Sequence, residues 1–312
     1  MNLTPSLLVA RPLSASGAPP LTRGPVARTL GALALTLFLG YTATAQSILG
    51  STGGYGAMAG GTVTINGTGT TVTGNLGTIG AIAGPGSNYT VTSGSQVTTA
   101  AQNQADFTKA FNGLAAMTPT ATLSGSILGT TPGATTLTPG IYKFDSTAQL
   151  TGTLTLDAQG ASNAVWVFQI GSIFTTAAGA SVVFTHLAAN SVANDGVFWQ
   201  VGAATVFGAT TALKGNVLGG TTYSFGSGAT ISEGRALTGS GTMTFDGSNS
   251  LNFIAANSGY SGGLVFDGNN VVASAIPEPA TTSLLVAGFF GLLVGARQLR
   301  QRPAGQKTAA PA

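Results

Sequence analysis

The sequence contains no cysteine and only one histidine, His186. Without cysteine the chain can form neither a disulfide nor a thiolate metal site, so its stability must come from packing and backbone hydrogen bonds. A lone histidine does not make an ordinary zinc site, and we interpret His186 as a turn or surface residue. Charged residues are also scarce, at 6% of the chain. We therefore expect no metal and no cofactor.

The few charges are unevenly distributed along the chain. The whole sequence has a net charge of +3, but between Gln46 and Ile276 there are only four basic residues against seven acidic ones, a net charge of −3. The basic character belongs to the two ends. The body therefore lacks the positive surface that binding to nucleic acid requires, and we expect no nucleic-acid partner.

The N-terminal residues predict export. Three arginines precede an apolar stretch over Leu30–Tyr41, and Ala43–Ala45 fits the rule of small residues at a signal-peptidase site. We predict a signal peptide over 1–45 and a mature chain that begins at Gln46.

The C-terminal residues 276–312 resemble the PEP-CTERM sorting signal of Gram-negative bacteria. The motif is Pro277, Glu278 and Pro279, followed by an apolar run over 281–296 and a basic tail. That run can span a bilayer if its flanking residues snorkel, with the arginines on the cytoplasmic side. The resemblance implies an exosortase partner, a transient inner-membrane anchor, and final display on the outer surface or in an extracellular matrix containing exopolysaccharide.

The body alternates apolar and polar residues in short runs broken by Gly, Asn and Ser, and examples of such runs are Thr62–Ile65, Leu150–Leu156 and Thr242–Phe245. Alternation with period two predicts β-strands with one buried face. One segment differs, because Phe107, Phe111 and Leu114 follow a helical period and Thr99 begins a capping-box pattern. We predict a single helix at about 99–118, and core positions for Trp166 and Trp199.

Five motifs then occur in a fixed order behind this helix, and together they resemble the ice-binding-like domain of microbial antifreeze proteins. They are Leu137–Tyr142, Ala164–Gly171, Val197–Gly202, Lys214–Val217 and Gly234–Leu237. The resemblance implies an all-β fold with one long helix: a discontinuous right-handed β-solenoid (β-helix) of roughly triangular section, with the α-helix packed alongside. We assign this domain to 46–257 and a linker to 258–275.

The resemblance also implies adsorption to ice or ordered water, and the composition suits that role. Stacked strands repeat at ~4.8 Å between coils and ~6.8 Å between alternate residues, which gives a regular two-dimensional array. Threonine presents a methyl and a hydroxyl group on a stiff side chain, and the body holds 37 threonines against 11 charged residues. The candidate ice-binding residues are Thr153, Thr155, Thr175, Thr176, Thr205, Thr210 and Thr230.

Two other classes of function remain open at this point. The sorting signal favours a structural or adhesion protein associated with exopolysaccharide. A glycan-cleaving enzyme would need paired carboxylates, and the acids that could meet in space are Asp145, Asp157, Asp195, Glu233 and Asp246. We interpret most of them as turn residues, and Glu233 with Arg235 as a surface pair. We interpret the G-x-S-x-G match at 259–263 as chance and expect no catalytic residue. A calcium site at Asp246, Asn249 and Asp267 has no motif to support it.

Overall fold

Three parallel sheets, wound by successive coils of the chain, form the body of the protein. The computed structural model describes residues 47–123, 125, 127–130, 134–189, 194–253 and 260–274. The predicted signal peptide over 1–45 and the sorting signal over 276–312 lie outside these residues. No helix within the described ranges is long and apolar enough to span a membrane.

Sheet A has nine strands. In spatial order they are β7 (Gln96–Thr98), β4 (Asn75–Thr78), β1 (Tyr55–Ala59), β23 (Ala236–Thr238), β20 (Asn216–Gly219), β17 (Gly196–Val201), β14 (Val165–Ile170), β11 (Gly140–Phe144) and β8 (Ala121–Thr122).

Sheet B follows sheet A in each coil and has eight strands. In spatial order they are β5 (Ile82–Ala83), β2 (Val63–Ile65), β24 (Met243–Phe245), β21 (Tyr223–Phe225), β18 (Thr205–Phe207), β15 (Phe174–Thr176), β12 (Ala148–Leu150) and β9 (Ile127–Leu128).

Sheet C completes each coil and also has eight strands. In the same direction they are β6 (Tyr89–Thr92), β3 (Thr70–Thr73), β25 (Ser250–Asn252), β22 (Thr230–Ser232), β19 (Ala212–Lys214), β16 (Ser181–Thr185), β13 (Thr153–Asp157) and β10 (Thr136–Leu137). The predicted β-solenoid is confirmed, and the described ranges contain one α-helix beside it.

The order of strands in sheet A shows that the stack is discontinuous. Strand β1, near the start of the described chain, pairs with β23 from the last full coil. The chain then returns to the far end of the stack through helix α1 (Ala101–Ala116) and begins again at β8. The helix is ~24 Å long at 1.5 Å per residue, so it covers much of the nine-stranded sheet. The N-terminal coils therefore continue the stack built by the C-terminal ones.

Helix α1 lies on the outer surface of sheet A. Phe107, Ala110 and Leu114 are buried against that sheet, and the Phe107 and Phe111 ring centroids are 5.7 Å apart. The predicted capping residue is wrong by one position. Ala100 is the N-cap, and because alanine has no side-chain oxygen, only the second half of a capping box exists: Asn103 Oδ1 accepts the Ala100 N–H at 3.0 Å.

The end of the helix is held by a side chain from the sheet. Gln169 Nε2, on strand β14, donates to the carbonyl oxygens of Leu114 at 2.7 Å and Met117 at 2.8 Å. The last carbonyls of a helix have no partner within it, and burial would leave them unsatisfied. Gln169 therefore fastens the helix to the sheet and satisfies its C-terminus at the same time.

Aromatic side chains stack along the interior, directly behind sheet B. Phe207, Phe225 and Phe245 are in register on consecutive strands, and their ring centroids are 4.5 Å and 4.6 Å apart. These distances match the spacing of hydrogen-bonded strands, so backbone pairing and ring stacking support the same repeat. Trp166 and Trp199 are fully buried, as predicted, and Trp199 stacks on Phe168 at 3.9 Å.

The corners between sheets A and B depend on glycine. A Cβ atom at Gly60 would lie 2.0 Å from the Gly239 carbonyl oxygen, and one at Gly241 would lie 1.8 Å from that of Thr221. No side chain fits at such distances. Glycine at these corners lets the backbones of adjacent coils approach closely, so the strands that follow stay within hydrogen-bonding distance.

The predicted linker over 258–275 is wrong for most of its length. Strands β26 (Leu264–Asp267) and β27 (Asn270–Ala273) form an antiparallel hairpin in this segment. Val271 is buried against helix α1, and Lys109 Nζ lies 4.1 Å from the centre of the Phe266 ring. Apolar contacts with the helix thus order a segment whose glycine- and asparagine-rich composition is typical of a linker.

We expect the aromatic stack to dominate stability. Phe225→Ala removes the ring between Phe207 and Phe245, and deletion of a fully buried phenylalanine costs about 3–5 kcal/mol of unfolding free energy. Chemical denaturation followed by circular dichroism measures this loss. The matched control is Val206→Ala on neighbouring strand β18, where the side chain is 42% exposed and the expected cost is below ~1 kcal/mol. Equal losses in the two variants would contradict a stability role for the stack.

We also expect Gln169→Leu to loosen the end of helix α1. The change leaves the Leu114 and Met117 carbonyls without their donor in a partly buried position, a cost of about 1–3 kcal/mol. Hydrogen exchange should show lost protection in the last turn of the helix, with the sheets little affected. Gln96→Leu, an exposed position on edge strand β7, is the control, and unchanged protection in Gln169→Leu would refute the capping role.

Candidate functional site

Sheet A is not available as a binding surface. Its outward residues under the helix include Met58, Leu218 and Leu237, all fully buried by helix α1. The hairpin β26–β27 extends this cover through Leu264 and Val271. A flat surface of the solenoid can therefore be offered only by sheet B or sheet C.

Sheet B presents a regular array of short side chains. Its central file consists of the outward residue of each strand, in the order Ala83, Thr64, Thr244, Ser224, Val206, Thr175, Gln149 and Ile127. A second file lies two residues before these positions, in the order Ala81, Thr62, Thr242, Thr222, Ala204, Ile173, Thr147 and Gly125. The backbone ladder continues into this second file, since the Met243 N–H donates to Thr62 O and the Tyr223 N–H to Thr242 O.

Both files lack charge. At the edge of the sheet Asp246 follows strand β24, and its Oδ1 accepts a hydrogen bond from Asn66 Nδ2 at 3.2 Å. One half of sheet B is rich in threonine, through Thr62, Thr64, Thr242 and Thr244. The other half exposes large apolar groups: Ile127 is 38%, Ile173 37% and Val206 42% exposed. All three lie on the same face as the threonines, so sheet B presents both hydroxyl and apolar groups.

Sheet C is also lined by short residues, but charges interrupt it. One outward file reads Thr153, Ser181, Ala212, Thr230, Ser250, Thr71 and Thr90. Two residues further along the strands, the outward positions include Thr155, Val183, Lys214 and Ser232. Lys214 Nζ forms an ion pair with Glu233 Oε2 at 2.8 Å. Such groups bind their own water strongly, so sheet C is the less regular of the two free faces.

The predicted threonines do not form one surface. Thr175 lies outward on sheet B, whereas Thr153, Thr155 and Thr230 lie outward on sheet C. Thr210 is exposed in the turn between the two sheets, with a φ of 56°.

The prediction that Thr176 and Thr205 lie on the surface is wrong, because both side chains are buried inside the solenoid. Thr176 Oγ1 hydrogen-bonds Thr211 Oγ1 at 2.6 Å. Alternation explains the error for Thr176, since its neighbour Thr175 occupies the outward position of the same strand.

The strongest candidates on sheet B were missed as site residues. Thr62 and Thr64 stand beside Thr242 and Thr244 on adjacent strands, although about 180 residues separate the two pairs in the sequence. Each pair is a Thr-x-Thr motif, and that is the signal by which they could have been found. Only the discontinuous winding of the chain shows that the two motifs are neighbours.

Each acidic residue weighed for catalysis has its own structural partner. Asp145 pairs with Lys143 at 2.8 Å and Asp157 with His186 Nδ1 at 2.9 Å. The predicted surface pair of Glu233 with Arg235 is wrong, because Glu233 pairs with Lys214.

Arg235 and Asp195 lie in the interior. The Arg235 guanidinium is buried and donates to Gly53 O at 2.9 Å and Asn216 Oδ1 at 2.8 Å. Asp195 is also fully buried and accepts the Ala164 N–H at 2.8 Å, so it is not a turn acid at the surface.

The titration of these groups follows from their surroundings. Burial lowers the pKa of Arg235 to about 10, which leaves it charged at neutral pH. The Gln159 N–H, then His186, hold the pKa of Asp157 below its usual value. Among the described residues, no group of three or more histidines and acids could hold a metal ion. Ser261, the serine of the G-x-S-x-G match, is buried in a bridge with Gly196.

Comparison with known proteins agrees with this geometry. The sequence profile of the family described as "Ice-binding-like" matches residues 40–250. An ice-binding protein of Nostoc sp. (strain HG1) is 40% identical over 203 residues, which cover 64% of this chain and 72% of the relative.

Two crystal structures are similar over most of their length. An ice-binding protein from an Antarctic biological consortium has 34% identity and a TM-score of 0.57, covering 66% of this chain and 90% of that one. An ice-binding protein of the Antarctic ascomycete Antarctomyces psychrotrophicus has 32% identity and a TM-score of 0.58, covering 65% and 96%. With a family match over most of the solenoid and this shared architecture, the chain belongs to the ice-binding-like family.

Proposed function

We propose that this protein binds ice through sheet B and thereby modifies crystal growth or recrystallisation, a role that involves no catalytic step. The observation that carries the proposal is the surface itself. Sheet B is the face that neither the helix nor the hairpin covers and whose two outward files contain no charged residue. The names of the similar proteins point to the same ligand.

The chemistry of the two files suits ordered water. Each outward threonine offers a hydroxyl group that bonds to water and a methyl group that does not, on a side chain with little rotamer freedom to lose. Ile173 and Val206 extend the apolar part of the pattern. A surface that hydrates weakly and evenly can hold water molecules at fixed positions. These ordered waters can then join the lattice of an ice crystal.

Rigidity is the second requirement, and the interior supplies it. The side chains behind the central file include the stacked rings of Phe207, Phe225 and Phe245. An outward residue such as Thr244 is therefore displayed on a strand fixed by two hydrogen-bonded neighbours and by the ring of Phe245 beneath it. The spacing between files cannot drift without disturbing that core.

We further propose that the protein acts outside the cell. The signal peptide over 1–45 supports export, and the Pro-Glu-Pro motif with its apolar run supports temporary retention in the inner membrane. An ice-binding surface is useful only where ice forms, which is outside the cytoplasm. Fractionation of the native host, with N-terminal sequencing of the recovered protein, tests this: we expect an extracytoplasmic protein that begins at Gln46.

The decisive variant for the ice-binding surface is Thr244→Arg. It places a long charged side chain in the centre of the threonine-rich half of sheet B. We expect the concentration needed to shape ice crystals or to stop recrystallisation to rise by at least about tenfold, equivalent to a loss of ~1.4 kcal/mol in binding. The matched control is Thr230→Arg, the same change at a half-buried outward position on sheet C, which should retain near-native activity.

Both variants must melt at nearly the same temperature as the native chain, so that activity and folding are separated. Loss of activity in Thr230→Arg but not in Thr244→Arg would transfer the site to sheet C. A native protein that leaves ice crystals round and freely growing would instead favour the alternative of an exopolysaccharide-associated scaffold, which a glycan pull-down would detect.

A further inference from the structure

We infer that the edge where sheet C turns into sheet A faces a lipid bilayer, so that sheet B points away from the membrane. The inference rests on one part of the proposed function, the retention of the apolar run over 281–296 in a bilayer, and it does not depend on the ice-binding role of sheet B. It concerns the orientation in which the folded domain is presented, which follows from where the chain leaves the solenoid.

The last described residue is fixed to one turn of the solenoid. The Ser274 N–H donates to Gly263 O at 2.8 Å, and Ser274 O accepts from Asn163 Nδ2 at 3.1 Å. Asn163 lies between β13 of sheet C and β14 of sheet A. The chain therefore departs from a C-to-A turn.

The segment before Ser274 is fixed to the next C-to-A turn along the stack. The Gly262 N–H donates to Asp195 O at 3.0 Å, and Ser261 pairs with Gly196, the first residue of β17. At the other end of the described chain, Ser47 Oγ donates to Ser261 O at 3.1 Å. Both ends of the folded domain thus leave from the same edge, with the exit held at several points.

The position of that edge determines what lies opposite. Each coil has three sides in the order A, B and C, so the corner between sheets C and A is the one that sheet B does not touch. A tether at this corner places sheet B on the far side of the solenoid. The corner also carries polar and charged groups, including the pairs Asp157–His186 and Lys214–Glu233, which are compatible with a hydrated headgroup layer.

The tether is too short to let the domain turn over freely. Six residues, 275–280, separate Ser274 from the apolar run, and two of them are proline. Fully extended, they reach about 20 Å. Strand β17, with six residues along one side of a coil, is about 20 Å long. The tether must also cross a headgroup layer of about 5–7 Å, so it does not reach round one side of the coil to bring sheet B to the membrane.

The absence of native cysteine allows a direct test with single labels. We would prepare the full chain as Ser162→Cys, at the C–A edge, and as Thr242→Cys, on sheet B; both positions are exposed. Each carries the same fluorophore and is reconstituted into phosphatidylcholine vesicles that contain lipids with a nitroxide on the headgroup. We expect the Ser162 probe to lose most of its fluorescence and the Thr242 probe to lose little.

A lengthened tether is the matched control. Inserting about 20 Gly/Ser residues after Ser274 gives a flexible connection with a mean span near 25 Å, which should abolish the difference between the two probes. Equal quenching at the native tether length, or stronger quenching of the Thr242 probe, would overturn the inference. Thermal melting of each labelled chain confirms that the domain is folded.

This readout does not depend on ice. If Thr244→Arg leaves ice shaping intact while the Ser162 probe is selectively quenched, the orientation stands and the assignment of sheet B to ice fails. If ice shaping is lost in Thr244→Arg but the two probes are quenched equally, the ice-binding surface stands and the orientation fails. The two proposals are thus judged by separate measurements.

Discussion

The parallel, in-register pairing of each coil with the next is the constraint on which the rest of the structure depends. Because the register is kept from strand to strand, equivalent residues of successive coils become straight files. Inward files become a stack of rings, such as Phe207, Phe225 and Phe245. Outward files become a surface with a fixed period. The same hydrogen bonds therefore produce both the stable interior and the regular exterior, and neither could change its spacing alone.

Helix α1 makes a single surface out of two distant parts of the chain. It carries the chain back along sheet A, so that β2 from the first coils can lie beside β24 from the last full one. The threonine-rich half of sheet B exists only because of this arrangement. The helix also covers the outer surface of sheet A, which therefore cannot serve as a binding surface. Gln169 fastens the helix in this position. Helix α1 thus allows the stack to continue and leaves only sheets B and C uncovered.

The sequence predicted the local structure well but did not show which threonines share a face, for reasons that are physical. Period-two alternation identified the strands around Thr62–Ile65 and Thr242–Phe245, and the 3.6-residue period identified the helix. Alternation separates inward from outward residues, but it cannot say to which of three sheets an outward residue belongs. Thr153 and Thr175 therefore appeared equivalent in the sequence, although they lie on different faces.

Some errors could have been avoided. Two adjacent residues of one strand point to opposite sides, so Thr175 and Thr176 could never both be outward. The hairpin within the predicted linker turns at Gly268-Asn269, a two-residue hairpin signal that the surrounding glycine and asparagine obscured. By contrast, Thr64 and Thr244 are neighbours only because the chain winds discontinuously, and a local sequence pattern cannot predict such a contact.

The distribution of charge links the fold to the proposed role. A soluble protein needs ionic groups, and a surface for ice must do without them, so the two requirements have to be met in different places. Here the buried Asp195 and Arg235 and the half-buried Lys214–Glu233 pair lie at or beside the turns from sheet C to sheet A. These turns form the edge furthest from sheet B. The edge at which both ends of the described domain lie thus also carries charge, while the opposite face is left to threonine, small residues and exposed isoleucine and valine.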